Sequence, residues 1–322
     1  MRVALDAMAG PAPPEAIVAS ALQTLRANKD LRLTILGVPE VPRSLLGDLG
    51  KARDRVQTFP ASQFIGPHED AAEALRFRPD TSVGRAWQLL AEKKVDALVT
   101  LGPLRAVVTA GMRLRRLIPR VRQPGLAAFL PTQSVGCLLM DAGAHDEAAP
   151  ANLYQYGVMG ALFRRYLQRL EHPRVGILQT NDERVDREAE RLLDAAPDWM
   201  SYCGAIDARS AFKGEADVLV CSGGMGRLVC QTCGSVAGIL NQTPSPQVPM
   251  DSPRPLLGFD GICIVVPGER GLDEALTLAL RMGQVDLNKK IAQSLETGPL
   301  LGSPAEHSHQ ADTFLKKDAE RE

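Results

Sequence analysis

The chain has 322 residues, with 37 basic and 38 acidic side chains and a formal net charge of −1. That balance excludes a chain-wide basic surface for nucleic acid or acidic membranes, and an aromatic content of 4% argues against a base-stacking platform. A hydrophobic content of 45% over this length suffices for a large core, in one α/β domain or two joined lobes.

Short apolar runs alternate with helix-period segments, the pattern of a mostly parallel sheet covered by helices. Residues 2–5 predict the first strand and 14–26 a helix, with apolar positions at Ile17, Val18, Ala21, Leu22 and Leu25. A strand follows over 31–36, ending at Gly37, then a helix over 82–92, a strand over 97–101 and a helix over 106–117. Residues 125–130 and 134–140 read as two strands separated by Pro131 and Thr132, and 153–170 as a long helix. Next come a strand at 174–178, a helix at 183–195, a strand at 218–221, a helix at 226–240, a strand at 261–266 and a helix at 272–285. Residues 241–255, rich in Pro, Ser and Gln, predict a loop or linker. The polar stretch 297–322 predicts a disordered tail behind a single domain, 1–296, with two lobes around a cleft. No internal repeat is visible.

No apolar segment follows the basic start, so no signal peptide is expected, and no apolar run is long enough to span a bilayer. The expected location is the cytoplasm. The six cysteines are dispersed, mostly in apolar runs, as buried thiols of an intracellular protein are.

Ligands of parallel sheets gather at the carboxyl ends of strands. Four such ends carry short polar or glycine-rich turns, at 6–10, 102–105, 141–145 and 222–226. Glycine lets backbone approach a ligand, and a helix N-terminus offers free N–H groups to an anion. Convergence of the four on one sheet edge would make a site for a phosphate-containing ligand. Other patterns are weaker. Cys230 and Cys233 have redox or metal spacing but fall in a predicted helix without a second ligand pair. Ser222 lacks the glycine two places before it that a nucleophile elbow needs. No full Walker A or dinucleotide fingerprint is present. His68, His172, His307 and His309 lie in polar surroundings, whereas His145 follows a strand-end glycine, as either a site residue or a surface-loop histidine.

These turns resemble the acyl-ACP:phosphate acyltransferases of the PlsX type. Leu5 to Pro11, then Pro14 and Glu15, is similar to the family's LDAMGGD-x-x-P-E opening. Ala74 to Ser82 resembles A-[IL]-R-x-K-x-D-S-S, and Met140 to Ala144 with Pro150 and 155–160 resembles LDLGAN…PE…QFAVMG. Residues 173–178 are similar to PRVGLL, 204–221 to GN-x-EGRD…G-x-ADV-[IV]-V-C-D, and 255–261 to PLLGVNG. The order and spacing of these short motifs carry the likeness from residue 1 to about 295.

The resemblance implies that inorganic phosphate attacks the thioester of acyl-carrier protein to give acyl-phosphate for phospholipid synthesis. It implies a three-layer α/β/α sandwich of the isocitrate/isopropylmalate dehydrogenase-like type, related also to phosphotransacetylases. It further implies a homodimer, with no metal or organic cofactor. Phosphate is already a competent nucleophile, so the protein would mainly position it and stabilise the thioester oxyanion. The candidate substrate- and phosphate-binding residues are Asp6, Gly10, Ser82, Gly102, Gly143, Arg209, Ser222, Gly223, Gly226 and Arg227. Phosphate would lie against the N–H groups of 222–226 and 143–145, with Arg209 or Arg227 offsetting its charge and His145 as catalytic acid or base.

Several positions depart from the family pattern. Pro11 replaces its Asp, Pro79 its Lys, and 102–106 its GNTGA loop; His145 replaces the Asn of LDLGAN, and 222–227 replaces DGFVGN. The new Arg105 and Arg227 either contact an anion by another route or fill the old site with charge. The family's longer helical segment, associated with dimerisation and membrane contact, is reduced to the proline-rich stretch 241–254, which predicts weak or no membrane association. Three readings follow: a divergent phosphate acyltransferase, a catalytically impaired paralogue that binds acyl-carrier protein as a regulator, and a phosphotransacylase using a shorter acyl-CoA.

Overall fold

The structure is a computed structural model and describes residues 1–37, 47–114, 116–133, 136–178, 183–239 and 252–299. The elements are, in chain order, β1 (Arg2–Asp6), α1 (Pro14–Ala27), β2 (Arg32–Leu36), β3 (Val56–Phe59), α2 (Ala71–Phe77), α3 (Ser82–Ala91), β4 (Ala97–Thr100), α4 (Leu104–Arg113), β5 (Gly125–Leu130), β6 (Cys137–Met140), α5 (Pro150–Gln168), β7 (Arg174–Leu178), α6 (Glu183–Asp194), β8 (Ser201–Ile206), α7 (Ala208–Lys213), β9 (Val218–Val220), α8 (Gly223–Ile239), β10 (Arg254–Leu257), β11 (Ile262–Val265), α9 (Leu272–Gln284) and α10 (Leu287–Thr297). The strands form one sheet in the order β3-β2-β1-β4-β11-β10-β5-β6-β9-β7-β8.

Side chains alternate across each strand and so feed two cores. Val3 and Leu5 join one cluster with residues of α1, α5, α6, α9 and α10. Ala4 joins the other, with residues of α2, α3, α4, α7 and α8. The result is a three-layer α/β/α sandwich with a mostly parallel sheet, as the sequence pattern predicts. Helix α5 is buried on nearly every side from Pro150 to Arg164, which fits its weakly amphipathic sequence.

The sheet is not parallel throughout, and this corrects the expectation of a single ligand edge. Strand β10 is antiparallel to both β11 and β5, and β5 is antiparallel to β6. The block β6-β9-β7-β8 therefore runs opposite to the block β3-β2-β1-β4-β11. A twist of roughly 20–25° per strand turns β6 by about 80–100° relative to β4, four positions away. Loops from the two blocks meet across the groove that results.

Each block is pinned by the same device. The first residue of β1, Arg2, donates its amide (2.7 Å) and Nη2 (2.6 Å) to the two carboxylate oxygens of Asp96, just before β4. The first residue of β7, Arg174, does the same with Asp217, just before β9, at 2.8 and 3.1 Å. A planar guanidinium and a carboxylate thus fix the register of neighbouring parallel strands.

Three strands were not foreseen: β3, β8 and β10, the last beginning at the end of the expected linker. The short helices α2 and α7 and the final α10 were also missed, and α8 starts three residues earlier than expected, at Gly223. Residues 241–251 of that linker, the last residue of the expected helix 226–240, and most of the expected tail, 300–322, lie outside the described residues.

Candidate active site

Strand β1 delivers Asp6 to a fully buried position. Its Oδ1 accepts the amides of Met8 (3.1 Å) and Ala9 (3.3 Å), and its Oδ2 accepts the Thr100 hydroxyl (3.2 Å). Thr100 in turn accepts the Gly102 amide at 2.9 Å, so the turns after β1 and β4 are tied together through side chains. Burial pushes the Asp6 carboxyl up from its usual range, and these donors act against that. Ser82, buried at the start of α3, stands beside the same carboxylate and favours its charge, although its Oγ closes no hydrogen bond of good geometry. Gly10 is exposed at the end of the turn, against Leu101.

Asp141 repeats this role after β6 with more donors. Its Oδ1 accepts the amides of Leu126 (2.9 Å), Gly143 (2.9 Å) and Ala144 (2.8 Å), and its Oδ2 accepts that of His145 (2.9 Å). Burial raises its pKa to about 6, against the pull of these amides. This arrangement corrects one expectation directly. The N–H groups of 143–145 do not face a phosphate; they enclose the chain's own carboxylate.

Two amides at the first turn of α8 are likewise committed, with Gly226 donating to the Ser222 carbonyl at 2.9 Å. The Gly224 amide donates to the Asp146 carbonyl at 3.1 Å. A Cβ on Gly223 would stand 2.0 Å from the His145 carbonyl oxygen, and one on Gly226 would stand 1.9 Å from that of Asp141. Glycine is required here because helix and loop touch backbone to backbone. The glycine-rich signal after Ser222 thus has a packing cause.

His145 is half-buried, and its ring stands beside the Pro124 carbonyl without closing a hydrogen bond of good geometry. Its Nδ1 is enclosed without a partner, and burial lowers its pKa. The ring is neutral at pH 7 and does not line the cleft described next. Arg209 is exposed on α7 and does not line it either.

The cleft has a volume of about 200 Å³. Its walls include Ile65 and Pro67 on one side, Leu104 and Arg105 at the start of α4, and Gly143 and Arg227 from the opposing block. Arg227 Nη2 lies 2.7 Å from Asp146 Oδ1, and Arg105 Nη2 lies 3.7 Å from Asp146 Oδ2. Arg227 beside it holds the Asp146 carboxyl below the usual range. Of the residues singled out from sequence, the cleft brings together Gly143 and Arg227, while Asp6, Ser82 and Gly102 form the buried cluster behind β1 and β4. Sequence reasoning missed Asp146. The available signal was an acidic residue adjacent to His145, while two new arginines elsewhere in the chain required a partner.

Cys230 is buried and Cys233 half-buried on α8, and among the described residues no group of three or more His, Cys, Asp and Glu is placed to hold a metal ion. Among those residues no helix is long and apolar enough to cross a membrane.

The chain has clear relatives. The model of a family described as "Fatty acid synthesis protein" matches residues 1–246. A phosphate acyltransferase of Halothermothrix orenii is 31% identical over 245 residues, covering 74% of this chain and 73% of its own. Another, from Brevibacillus brevis, is 29% identical over 335 residues, covering 93% and 99%. Among solved structures, a phosphotransacetylase from Streptococcus pyogenes superposes with a TM-score of 0.60 at 14% identity, covering 92% of this chain and 94% of that one. A branched-chain phosphotransacylase from Enterococcus faecalis does so with a TM-score of 0.55 at 13% identity, covering 88% and 99%. At those identities the structural likeness speaks for the fold.

Proposed function

Because the chain belongs to this family of fatty acid synthesis proteins, which includes the phosphate acyltransferases, we propose that it transfers an acyl group from acyl-carrier protein to inorganic phosphate. A phosphate oxygen attacks the thioester carbonyl carbon, a C–O bond forms and the C–S bond breaks. The products are acyl-phosphate and the carrier thiol, which takes up a proton. Acyl-phosphate of this kind feeds phospholipid synthesis.

The observation that carries this reading is the pair of guanidiniums, Arg105 and Arg227, reaching one cleft from two oppositely directed strand blocks. Phosphate held between them is positioned and partly neutralised, and no other activation is needed. The Asp6 and Asp141 carboxylates act one step behind, Asp6 by tying down the turn that leads to Arg105 and Asp141 by fixing the loop against which the Arg227 stem packs. The named relatives are acyltransferases, which favours an enzyme over a regulator that only binds the carrier. The protein acts in the cytoplasm with weak or no membrane association, and a liposome co-sedimentation assay showing strong binding would contradict that part.

The test is to incubate the purified protein with acyl-acyl-carrier protein and phosphate, trap acyl-phosphate with hydroxylamine and count released thiol. Acyl hydroxamate and thiol are expected in equal amounts. No product under any condition would overturn the reading, and turnover with acyl-CoA alone would reassign the donor.

A further inference from the structure

Resting on the acyl-transfer reading above, we infer that Asp146 sets the affinity of the cleft for its anionic substrate, by occupying the guanidinium faces that phosphate would use. Arg105 belongs to α4, which follows β4, and Arg227 to α8, which follows β9, so the two arginines come from opposite strand blocks. A single carboxylate reaches both, with Oδ1 at 2.7 Å from Arg227 and Oδ2 at 3.7 Å from Arg105. Two guanidiniums around the oxygens of one small anion is the arrangement a phosphate would adopt, with an internal carboxylate in its place.

The surroundings leave Asp146 as the competing charge. The carboxylate on the cleft wall, Glu69, accepts the Gly66 amide at 2.8 Å and pairs with Arg78, whereas Asp146 stands outside the wall and meets the cleft through its two arginines. Arg227 is seated by its own stem, because the Cβ position of Gly143 lies 3.2 Å from the Arg227 Cβ. The guanidinium is therefore held over the loop that carries Asp146. All three charged side chains are exposed. An exposed pair of this kind is weak and screened by salt, so a dianion can displace it. Binding is then an exchange of one anion for another, and the intrinsic attraction of the two arginines is only partly realised.

The experiment is calorimetric titration of the full chain with inorganic phosphate at low ionic strength. Asp146→Asn keeps the size of the side chain and removes its charge at an exposed position. It is expected to tighten phosphate binding about two- to fivefold, as removal of a weak exposed ion pair permits. Adding Arg227→Met to that variant is expected to abolish the gain. Phosphate binding by Asp146→Asn that is no tighter than the parent's, or a gain that survives Arg227→Met, would overturn the assignment. Turnover is measured separately on the parent. Absence of acyl-phosphate with an intact Asp146→Asn gain would fail the acyl-transfer reading alone. Turnover without the gain would fail the role of Asp146 alone.

Discussion

Gly226 meets Asp141 so closely that a Cβ on the glycine would stand 1.9 Å from the aspartate carbonyl oxygen. Helix α8 and the loop after β6 are consequently packed backbone to backbone. Gly226→Ala is expected to destabilise the protein by about 2–4 kcal/mol, because backbone must shift to admit the methyl group. In an exposed helix interior the same change would stabilise by roughly 0.5–1 kcal/mol. Gly224→Ala meets the Asp146 carbonyl oxygen only at 3.0 Å and is expected to cost less. Urea denaturation of both variants checks the ranking, and equal midpoints would contradict it.

Asp141 gives a prediction with a defined pH window. Its folded pKa of about 6 lies above its ordinary value of 3.8. Between these values the folded chain binds more protons than the unfolded one, so the contribution of Asp141 to stability falls as pH rises through the window and is flat above it. The change is on the order of 3 kcal/mol, at about 1.4 kcal/mol per pH unit. Asp141→Asn has no proton to exchange and is expected to lack that slope. It also turns an amide NH₂ toward one of the N–H donors now satisfied, at a cost of about 1–3 kcal/mol. Urea midpoints of parent and variant from pH 4 to 7 check this, and parallel profiles would contradict it.

What the sequence revealed depends on how much of each element is buried. Strands β1, β2, β4, β6 and β11 have nearly continuous buried runs and were legible. Strands β3 and β8 form the two edges of the sheet and are only partly buried, so neither shows such a run. Strand β10 hides behind Pro255, which reads as a loop residue, although proline is tolerated where the strand changes partner from β11 to β5. Helices α2 and α7 had a signal that was overlooked. Asp70 and Asp207 cap them by accepting the amides of Glu73 and Ser210, three residues on. Helix α10 had one too, in the spacing of Leu287, Ile291 and Leu295. The loops of the site were found because glycines and strand ends are local features. Which acceptor fills their amides is set by the orientation of Asp6 and Asp141, and that comes from tertiary packing.

The two arginine clasps differ in burial, and this separates their energetic roles. The Asp217 side chain is 9% exposed, whereas that of Asp96 is 40% exposed. Asp217→Ala leaves the amide of Arg174 without its acceptor beside a nearly buried position, while the exposed guanidinium keeps the Gly214 carbonyl, and is expected to cost about 1–3 kcal/mol. Asp96→Ala lets water replace the carboxylate, at an expected cost of about 1 kcal/mol. Thermal denaturation of the two variants checks the difference, and a larger loss for Asp96→Ala would contradict it.

His145 separates a chemical role from a positional one. Burial lowers its pKa from the ordinary 6.5, and the nearby Pro124 carbonyl acts against that. As pH falls below 6.5 the unfolded chain takes up the proton first, so the stability contributed by the neutral ring declines toward the folded pKa. His145→Asn cannot titrate, and is expected to lose less stability than the parent between pH 7.5 and 5.5. Because the ring does not line the cleft, the variant is also expected to keep most of its acyl-phosphate turnover at pH 7.5. Loss of a general base would instead lower kcat by about 10²–10⁴-fold. Urea midpoints at the two pH values and kcat at the higher one distinguish these roles. A large drop in kcat with unchanged stability would return His145 to the chemistry.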